Sequence, residues 1–149
     1  MKTPEHPIFQ ESINYIRSRT SFTGLDKNQQ SIVERMIHSS GDFSVQTSIK
    51  FSPCACEEAL DGLQKGAKIF TDTYMAKAAV SNVAKKTLDA DVSCILDMAP
   101  ESVDNISTTR SAIGMRNTWL DFEKKDGLFL APIVVIGSAP TALMSLLDL

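Results

Sequence analysis

The 149-residue sequence has no excess of basic residues and no apolar run long enough to cross a membrane. Its net charge is −3, so a basic surface for general nucleic-acid binding is not expected. The opening residues, MKTPEHPIF, contain no apolar signal core. Every apolar run falls short of the roughly 20 residues of a membrane-spanning helix. We therefore expect a protein of the cytoplasm, or of a similar reducing compartment, with neither a nucleic-acid nor a membrane partner.

Cysteine is also scarce, with only Cys54, Cys56 and Cys94 in the chain. An odd number of cysteines argues against a disulfide framework. A C-x-C pair with only two histidines elsewhere is a weak metal signal, so the cysteines are interpreted as small packing residues and no metal site is predicted. The G-x-G-x-x-G fingerprint of a dinucleotide site is absent.

The clearest local pattern is a helix over residues 26–41, in which apolar residues recur at helical spacing. Asp26 suits the N-cap position, and Gln29 completes a capping box. Gly41 suits the left-handed position after the helix end. His38 then lies in the last turn, with Arg35 one turn before it. Position alone favours the interpretation of His38 as a surface histidine that stabilises the end of the helix.

Strand and helix patterns alternate through the rest of the chain. Apolar and polar residues alternate over residues 43–51, which predicts a half-buried strand, and short apolar runs at 67–71 and 92–96 predict two more. Residues 131–136 form the most apolar run and are predicted to be a central strand with both faces covered. These patterns predict one α/β domain over residues 1–149, with three layers and a mainly parallel sheet between helices.

Helix-start signals complete this prediction. Pro7 opens a helix to about Arg19, and Ser52 with Pro53 opens another that ends at Gly66. Three further starts are predicted: at Asp72 for a short helix over residues 73–80, at Thr108 or Thr109, and at residue 139.

The turn at residues 136–141 follows the end of the most apolar strand. Gly137 permits a close backbone approach, Ser138 can cap, and Pro140 and Thr141 fit the first turn of a helix. Free N–H groups at such a turn suit a carboxylate or phosphate, and ligands of open α/β sheets bind at strand carboxyl ends. A plain capped helix is the alternative interpretation.

Five stretches resemble, in the same order, the precorrin-8X methylmutase family, the precorrin isomerases of cobalamin biosynthesis. They are HPIFQESINYIRSR, RMIHSSG, FSP at 51–53, TTRSA at 108–112 and VVIGSAPTALMSLL at 134–147. The resemblance implies a homodimer with the Rossmann-like precorrin isomerase fold. It also implies an isomerase that converts precorrin-8X or cobalt-precorrin-8 to hydrogenobyrinate or cobyrinate without a cofactor.

Family members usually continue with further strands and helices beyond the point that corresponds to Leu149. The domain is therefore expected to be truncated at its C-terminal end. The alternative function is a non-catalytic tetrapyrrole-binding fragment or an inactive shortened relative.

The resemblance also implies that His38 donates a proton to a ring nitrogen and later takes it back. Arg35 and Ser12 are expected to hold the tetrapyrrole near His38, although Ser12 can also be a helix serine bonded to its own backbone. Precorrins carry acetate and propionate groups, which need cationic or N–H donors. The remaining substrate-binding candidates are Arg17, Ser81, Thr109, Arg110, Gly137, Ser138 and Thr141. Ser81 stands where the family usually has Thr, and Ser138 where it usually has Asn.

Overall fold

The computed structural model describes residues 6–103, 107–126 and 129–149. The chain folds into two compact units, Met1–Glu57 and Glu58–Leu149. The prediction of a single domain stays a prediction. None of the described helices is long and apolar enough to cross a membrane.

The first unit is helical. It contains α1 (Pro7–Arg19), α2 (Lys27–Ser40), α3 (Val45–Ser48) and the first residues of α4 (Ala55–Gln64). Pro7 occupies the first turn of α1, as predicted. Both predicted ends of α2 are confirmed. The Asp26 carboxylate accepts the N–H groups of Asn28 and Gln29, the Gln29 side chain accepts the Asp26 N–H, and Gly41 is left-handed with φ of 70°.

The core of this unit lies between α1 and α2. Ile13 and Ile16 of α1 are buried together with Val33 and Ile37 of α2. Seven partly buried side chains surround them: Phe9, Phe22, Leu25, Phe43, Val45, Ile49 and Phe51.

The strand predicted over residues 43–51 is wrong. The segment forms turns around the short helix α3, and the described part of this unit contains no strand. Asp42 accepts the Ser44 N–H at 2.8 Å, and the Ile49 N–H bonds to the Val45 carbonyl at 3.0 Å. Val45 and Ile49 are four residues apart, so one helical turn can direct both towards the core. Apolar residues at every second position include pairs that are four residues apart, and such pairs also suit one face of a helical turn.

The second unit is an α/β structure, as predicted. After most of α4 it contains β1 (Ile69–Thr71), α5 (Tyr74–Leu88), β2 (Val92–Cys94), a 3₁₀ helix (Ile95–Met98), α6 (Arg110–Asp126), β3 (Ile133–Val135) and α7 (Pro140–Leu147). The sheet order is β2–β1–β3, and both pairings are parallel.

Two apolar cores cover the two faces of this sheet, which gives the predicted three layers. On one face, Phe70 packs with residues of the 3₁₀ helix, α6 and α7, namely Ile95, Met115, Phe122 and Ala142. On the other face, Ile69 and Val92 pack with Ala84 and Val80 of α5.

Three further details differ from the sequence predictions, two in the second unit and one at the start of α4. The most apolar strand, β3, is half-buried and has one neighbouring strand among the described residues, whereas β1 is the buried central strand. Thr73 rather than Asp72 caps α5, which runs to Leu88 instead of about residue 80. The helix predicted from Ser52 begins at Ala55, because Pro53 lies in a turn before it.

Gly114 of α6 gives the first testable prediction. A Cβ atom at this position would meet the Ile95 carbonyl oxygen and carbon, backbone atoms that cannot move aside easily. We expect Gly114→Ala to lower the free energy of unfolding by about 1–3 kcal/mol, as overpacking does. Its gain in helix propensity of about 1 kcal/mol offsets only part of this cost.

Gly62→Ala is the matched control in urea denaturation. Its Cβ would lie 3.7 Å from the Ala67 Cβ, which is ordinary contact, so stability should stay equal or rise. Equal stability of both alanine variants would contradict the close approach of α6 to the 3₁₀ helix.

Candidate active site

His38 lies in the last turn of α2, as predicted, and its side chain is exposed. Its imidazole makes an edge contact with the Phe9 ring of α1, with ring centroids 4.9 Å apart and planes at 79°. The Arg35 guanidinium carbon lies 4.8 Å from the centroid of the same ring. Phe9 therefore brings together the predicted proton donor and the arginine expected to hold the ligand near it. Phe9 is not among the site residues predicted from the sequence.

Arg17 forms an ion pair with Glu34, a residue that was not predicted from the sequence to belong to the site. Its Nε and Nη2 atoms donate to the two carboxylate oxygens of Glu34 at 2.7 and 2.9 Å, and Gln30 donates to the same carboxylate at 2.6 Å. Glu34 is only 3% exposed. The Arg17 hydrogen bond lowers the pKa of Glu34 most strongly; burial opposes this, and the Gln30 bond lowers it further. Substrate binding by Arg17 stays a prediction.

A small cleft of about 140 Å³ lies beside these residues. It is lined by Phe9, Gln10, Ile13, Arg17, Ser31, Glu34 and Arg35. Cavities that hold small molecules are typically about 300–1,000 Å³. This cleft can thus accept one small polar group, such as a carboxylate, but no ring system. Ser12 is half-buried on α1, one turn after Phe9.

In the second unit, Thr109 and Thr141 come together. Their hydroxyl oxygens are 2.7 Å apart, and Thr109 also accepts the Ala112 N–H at 3.2 Å as the cap of α6. The two threonines open onto a cleft of about 480 Å³ between α6 and α7, within the usual range for a small-molecule site. Its other lining residues include Ser107, Thr108, Arg116, Met144, Ser145 and Asp148.

The N–H groups expected to be free at the 136–141 turn are partly taken. The carboxylate of Asp72, fully buried after β1, accepts the Ser138 and Ala139 N–H groups at 2.8 and 2.7 Å. Those two groups are therefore not open to a ligand, and the exposed Ser138 side chain is what the turn presents. The close approach predicted to need Gly137 is not confirmed, because a Cβ there would make ordinary contacts, 3.4 Å from the Ala76 Cβ and 3.5 Å from Asp72 Oδ1.

The ionisation of Asp72 follows from these contacts. Burial is the largest influence and raises its pKa, but the N–H donors of Ser138, Gly137 and Ala139 together outweigh it, so the pKa lies below its usual value. Sequence reasoning interpreted Asp72 only as a helix cap. The available signal was an acid directly after a buried strand, at the edge of the sheet where turns converge.

Two other predicted residues make bonds within the fold. Arg110 Nε donates to the Pro100 carbonyl at 2.8 Å, and the arginine is exposed. The Ser81 hydroxyl donates to the Lys77 carbonyl inside α5 at 2.6 Å. Within the described ranges, no group of three or more His, Cys, Asp or Glu side chains could hold a metal ion.

Asp72 generates the second testable prediction. Because its pKa is lowered by folding, the ionised form stabilises the fold above the unfolded pKa of about 3.9, and this contribution is lost as pH falls through the folded value. Asp72→Asn should lose about 1.5–3 kcal/mol of unfolding free energy at pH 7, as for hydrogen bonds to a charged group. The variant should also show a shallower loss of stability below pH 4.

Urea denaturation at pH 7 and between pH 2 and 5 measures both effects. Asp91→Asn, at a side chain that is 94% exposed, serves as the control. A variant as stable as the parent chain at pH 7 would argue against the Asp72 anchor.

Comparison with known proteins covers nearly the whole chain. A family model described as precorrin-8X methylmutase matches residues 7–149. The cobalt-precorrin-8 methylmutase of Synechocystis sp. (strain PCC 6803) is 27% identical over 156 residues, which cover 95% of this chain and 68% of that protein. The precorrin-8X methylmutase of Pseudomonas aeruginosa is 32% identical over 144 residues, covering 95% and 65%.

The fold agrees as well. The crystal structure of precorrin-8X methyl mutase from Thermus thermophilus matches with a TM-score of 0.75 and 28% identity, over 95% of this chain and 66% of that one. The chain thus spans about two thirds of the length of these relatives, between 65% and 68%.

Proposed function

The chain belongs to the precorrin-8X methylmutase family, a family of isomerases, and we propose that it shares their activity. In this proposal it moves a methyl group between adjacent ring carbons of precorrin-8X or cobalt-precorrin-8, giving hydrogenobyrinate or cobyrinate in cobalamin biosynthesis. The observation that carries the proposal is the family match over residues 7–149, a range that contains every predicted site residue.

The proposed mechanism gives His38 a two-way role. The imidazole donates a proton to a ring nitrogen, which makes the ring electron-poor while the methyl group leaves one carbon and bonds to the next. His38 then takes the proton back, so substrate and product have the same composition. Histidine suits this task because it can donate and accept near neutral pH. The exposure of His38 at the end of α2 supports access to a ring atom.

Substrate binding in the first unit is assigned to Arg35 and Ser12. The Arg35 guanidinium is held over the Phe9 ring beside the small cleft, and its planar fork suits a carboxylate. Arg17 is also assigned to substrate binding, since its side chain is 53% exposed while Nε and Nη2 hold Glu34.

Substrate binding in the second unit is assigned to Thr109, Thr141, Arg110 and Ser138. The paired threonine hydroxyls and the exposed arginine can donate to acetate and propionate groups. Gly137 is assigned to the same turn, where its backbone N–H is one of the donors to Asp72. Ser81 can take part only by giving up its bond to Lys77. The proposal includes a homodimer in the cytoplasm and no cofactor.

A second candidate function is tetrapyrrole binding without turnover. The observation that favours it is the coverage of only 65% of the Pseudomonas aeruginosa relative. Incubation of the purified chain with precorrin-8X separates the two functions. Formation of hydrogenobyrinate supports the isomerase, whereas a stable complex without product supports the binding protein.

The third prediction concerns the proton donor. We expect His38→Ala to lower turnover by at least about 10²-fold, the usual minimum contribution of a positioned acid–base group. Binding of hydrogenobyrinate, followed by absorbance titration, should change little, because the proton transfer acts only during the reaction.

The matched control is His6→Asn, at the only other histidine. Asparagine can keep the α1 cap that His6 makes with the Ile8 N–H, so turnover should be retained. Full activity of His38→Ala would remove His38 from the mechanism.

The fourth prediction concerns the carboxylates of the ligand. Arg35→Ala and Arg110→Ala should each weaken hydrogenobyrinate binding by about 1.5–3 kcal/mol, the range for a lost hydrogen bond to a charged group. Arg19→Ala is the control, since Arg19 lies over Tyr15 on α1 and has no proposed ligand contact. Unchanged affinity in both test variants would place the carboxylates elsewhere.

A further inference from the structure

We propose that Phe9 is a positioning residue that holds the His38 imidazole and the Arg35 guanidinium in one fixed arrangement. The inference deepens the proposed function and rests on it, because it assigns the orientation of the proton donor to a residue outside the predicted site. Its basis is the pair of contacts that one ring makes with two functional side chains of α2.

The two contacts use different properties of an aromatic ring. At 79° and 4.9 Å, the His38 and Phe9 rings form an edge-to-face pair, in which the positive edge of one ring meets the negative face of the other. Arg35 lies 4.8 Å from the Phe9 centroid, within the distance of a cation–π contact. A leucine of similar volume would fill space but provide neither interaction.

The need for such a contact follows from the exposure of the two functional groups. Both His38 and Arg35 are exposed on α2, whereas Phe9 is half-buried and packs against the core of the first unit. Exposed side chains sample several rotamers, and each ordered rotamer has an entropic cost. A ring fixed in the core therefore orders two groups that the helix alone leaves mobile.

Glu34 is a charged neighbour of Arg35 and Phe9 in the same part of the first unit. Its carboxylate is held by Arg17 and lies with Arg35 and Phe9 on the lining of the small cleft. The Arg35 charge lowers the pKa of Glu34 as one of the smaller influences, so the two charges are close enough to interact. Arg35 thus lies over an aromatic face and close enough to a paired carboxylate to interact with it.

The test compares Phe9→Leu with Phe9→Tyr, which keeps the ring. In Phe9→Leu we expect kcat to fall by about 10-fold or more and KM to rise, while Phe9→Tyr keeps both near the parent values. Tyr15→Leu is the matched control, because it removes an exposed aromatic of α1 that contacts Arg19 and Phe43 rather than His38 or Arg35. Its kinetics should stay unchanged.

A second readout needs no substrate. The His38 ring protons should carry a ring-current shift from Phe9 in NMR spectra of the whole chain. That shift should vanish in Phe9→Leu and persist in Phe9→Tyr and Tyr15→Leu. If Phe9→Leu fails to fold, Phe9→Met takes its place, since a flexible apolar side chain also lacks the ring.

The outcomes separate the inference from the proposed function. An active parent chain whose Phe9→Leu variant keeps its kcat, KM and His38 resonances would overturn the positioning role and leave the isomerase intact. An inactive parent chain whose His38 resonances still respond to Phe9→Leu would overturn the isomerase and support the contact. Loss of kcat and of the ring-current shift together, both restored by tyrosine, is the expected result.

Discussion

The buried carboxylate of Asp72 fixes the edge of the parallel sheet at which the second unit presents its predicted ligand groups. It follows the central strand directly, and it binds the N–H groups of Ser138 and Ala139 at the start of α7. Each strand has only three residues, so the sheet ladder supplies few hydrogen bonds of its own. The charge-assisted hydrogen bonds of Asp72 to the N-terminal end of α7, where the helix dipole is positive, therefore add stability at the point where strand pairing ends.

This anchor changes which groups can recognise a ligand at that edge. A helix start at the end of a strand ordinarily offers its N–H groups to an external anion. Here the Asp72 carboxylate already accepts two of these N–H groups, so a ligand at this edge has to be bound by side chains. The hydroxyls of Thr109 and Thr141 are already paired across α6 and α7, and such a pair has lone pairs and rotatable protons to share. The edge is therefore suited to polar groups rather than to a phosphate cradle.

The predictions that succeeded depend on residues close together in sequence, although two local helix starts, at Ser52 and at Asp72, were also placed wrongly. The sequence predicted the Asp26–Gln29 capping box and the left-handed Gly41, and it narrowed the cap of α6 to Thr108 or Thr109, of which Thr109 is the cap. The strand at residues 43–51 failed because its apolar pattern fits a helical turn equally well, and the helix pair α1–α2 decided between the two.

The same distinction applies to the candidate site. Helical spacing placed His38 and Arg35 together, since both lie on α2. Helical spacing could not reveal that Glu34 binds Arg17, because the two residues are 17 positions apart. It also could not reveal that Asp72 accepts the Ala139 N–H group, because these residues are 67 positions apart. Phe9 was recognisable as apolar, but the identity of the rings and charges it meets depends on how α1 packs against α2.

In the proposed reaction His38 donates a proton and later takes it back, and this two-way transfer determines the geometry that the site must maintain. A residue that only donates needs the correct geometry once, whereas His38 must meet the same ring nitrogen before and after the methyl shift. A change of imidazole rotamer between those events would leave the product protonated and the enzyme without its acid.

The constraint on His38 is therefore orientation over the whole cycle, and an exposed side chain at a helix end does not supply this by itself. The edge contact with Phe9 is the feature of the first unit that does so, because it opposes rotation of the imidazole while leaving the ring accessible to a ligand.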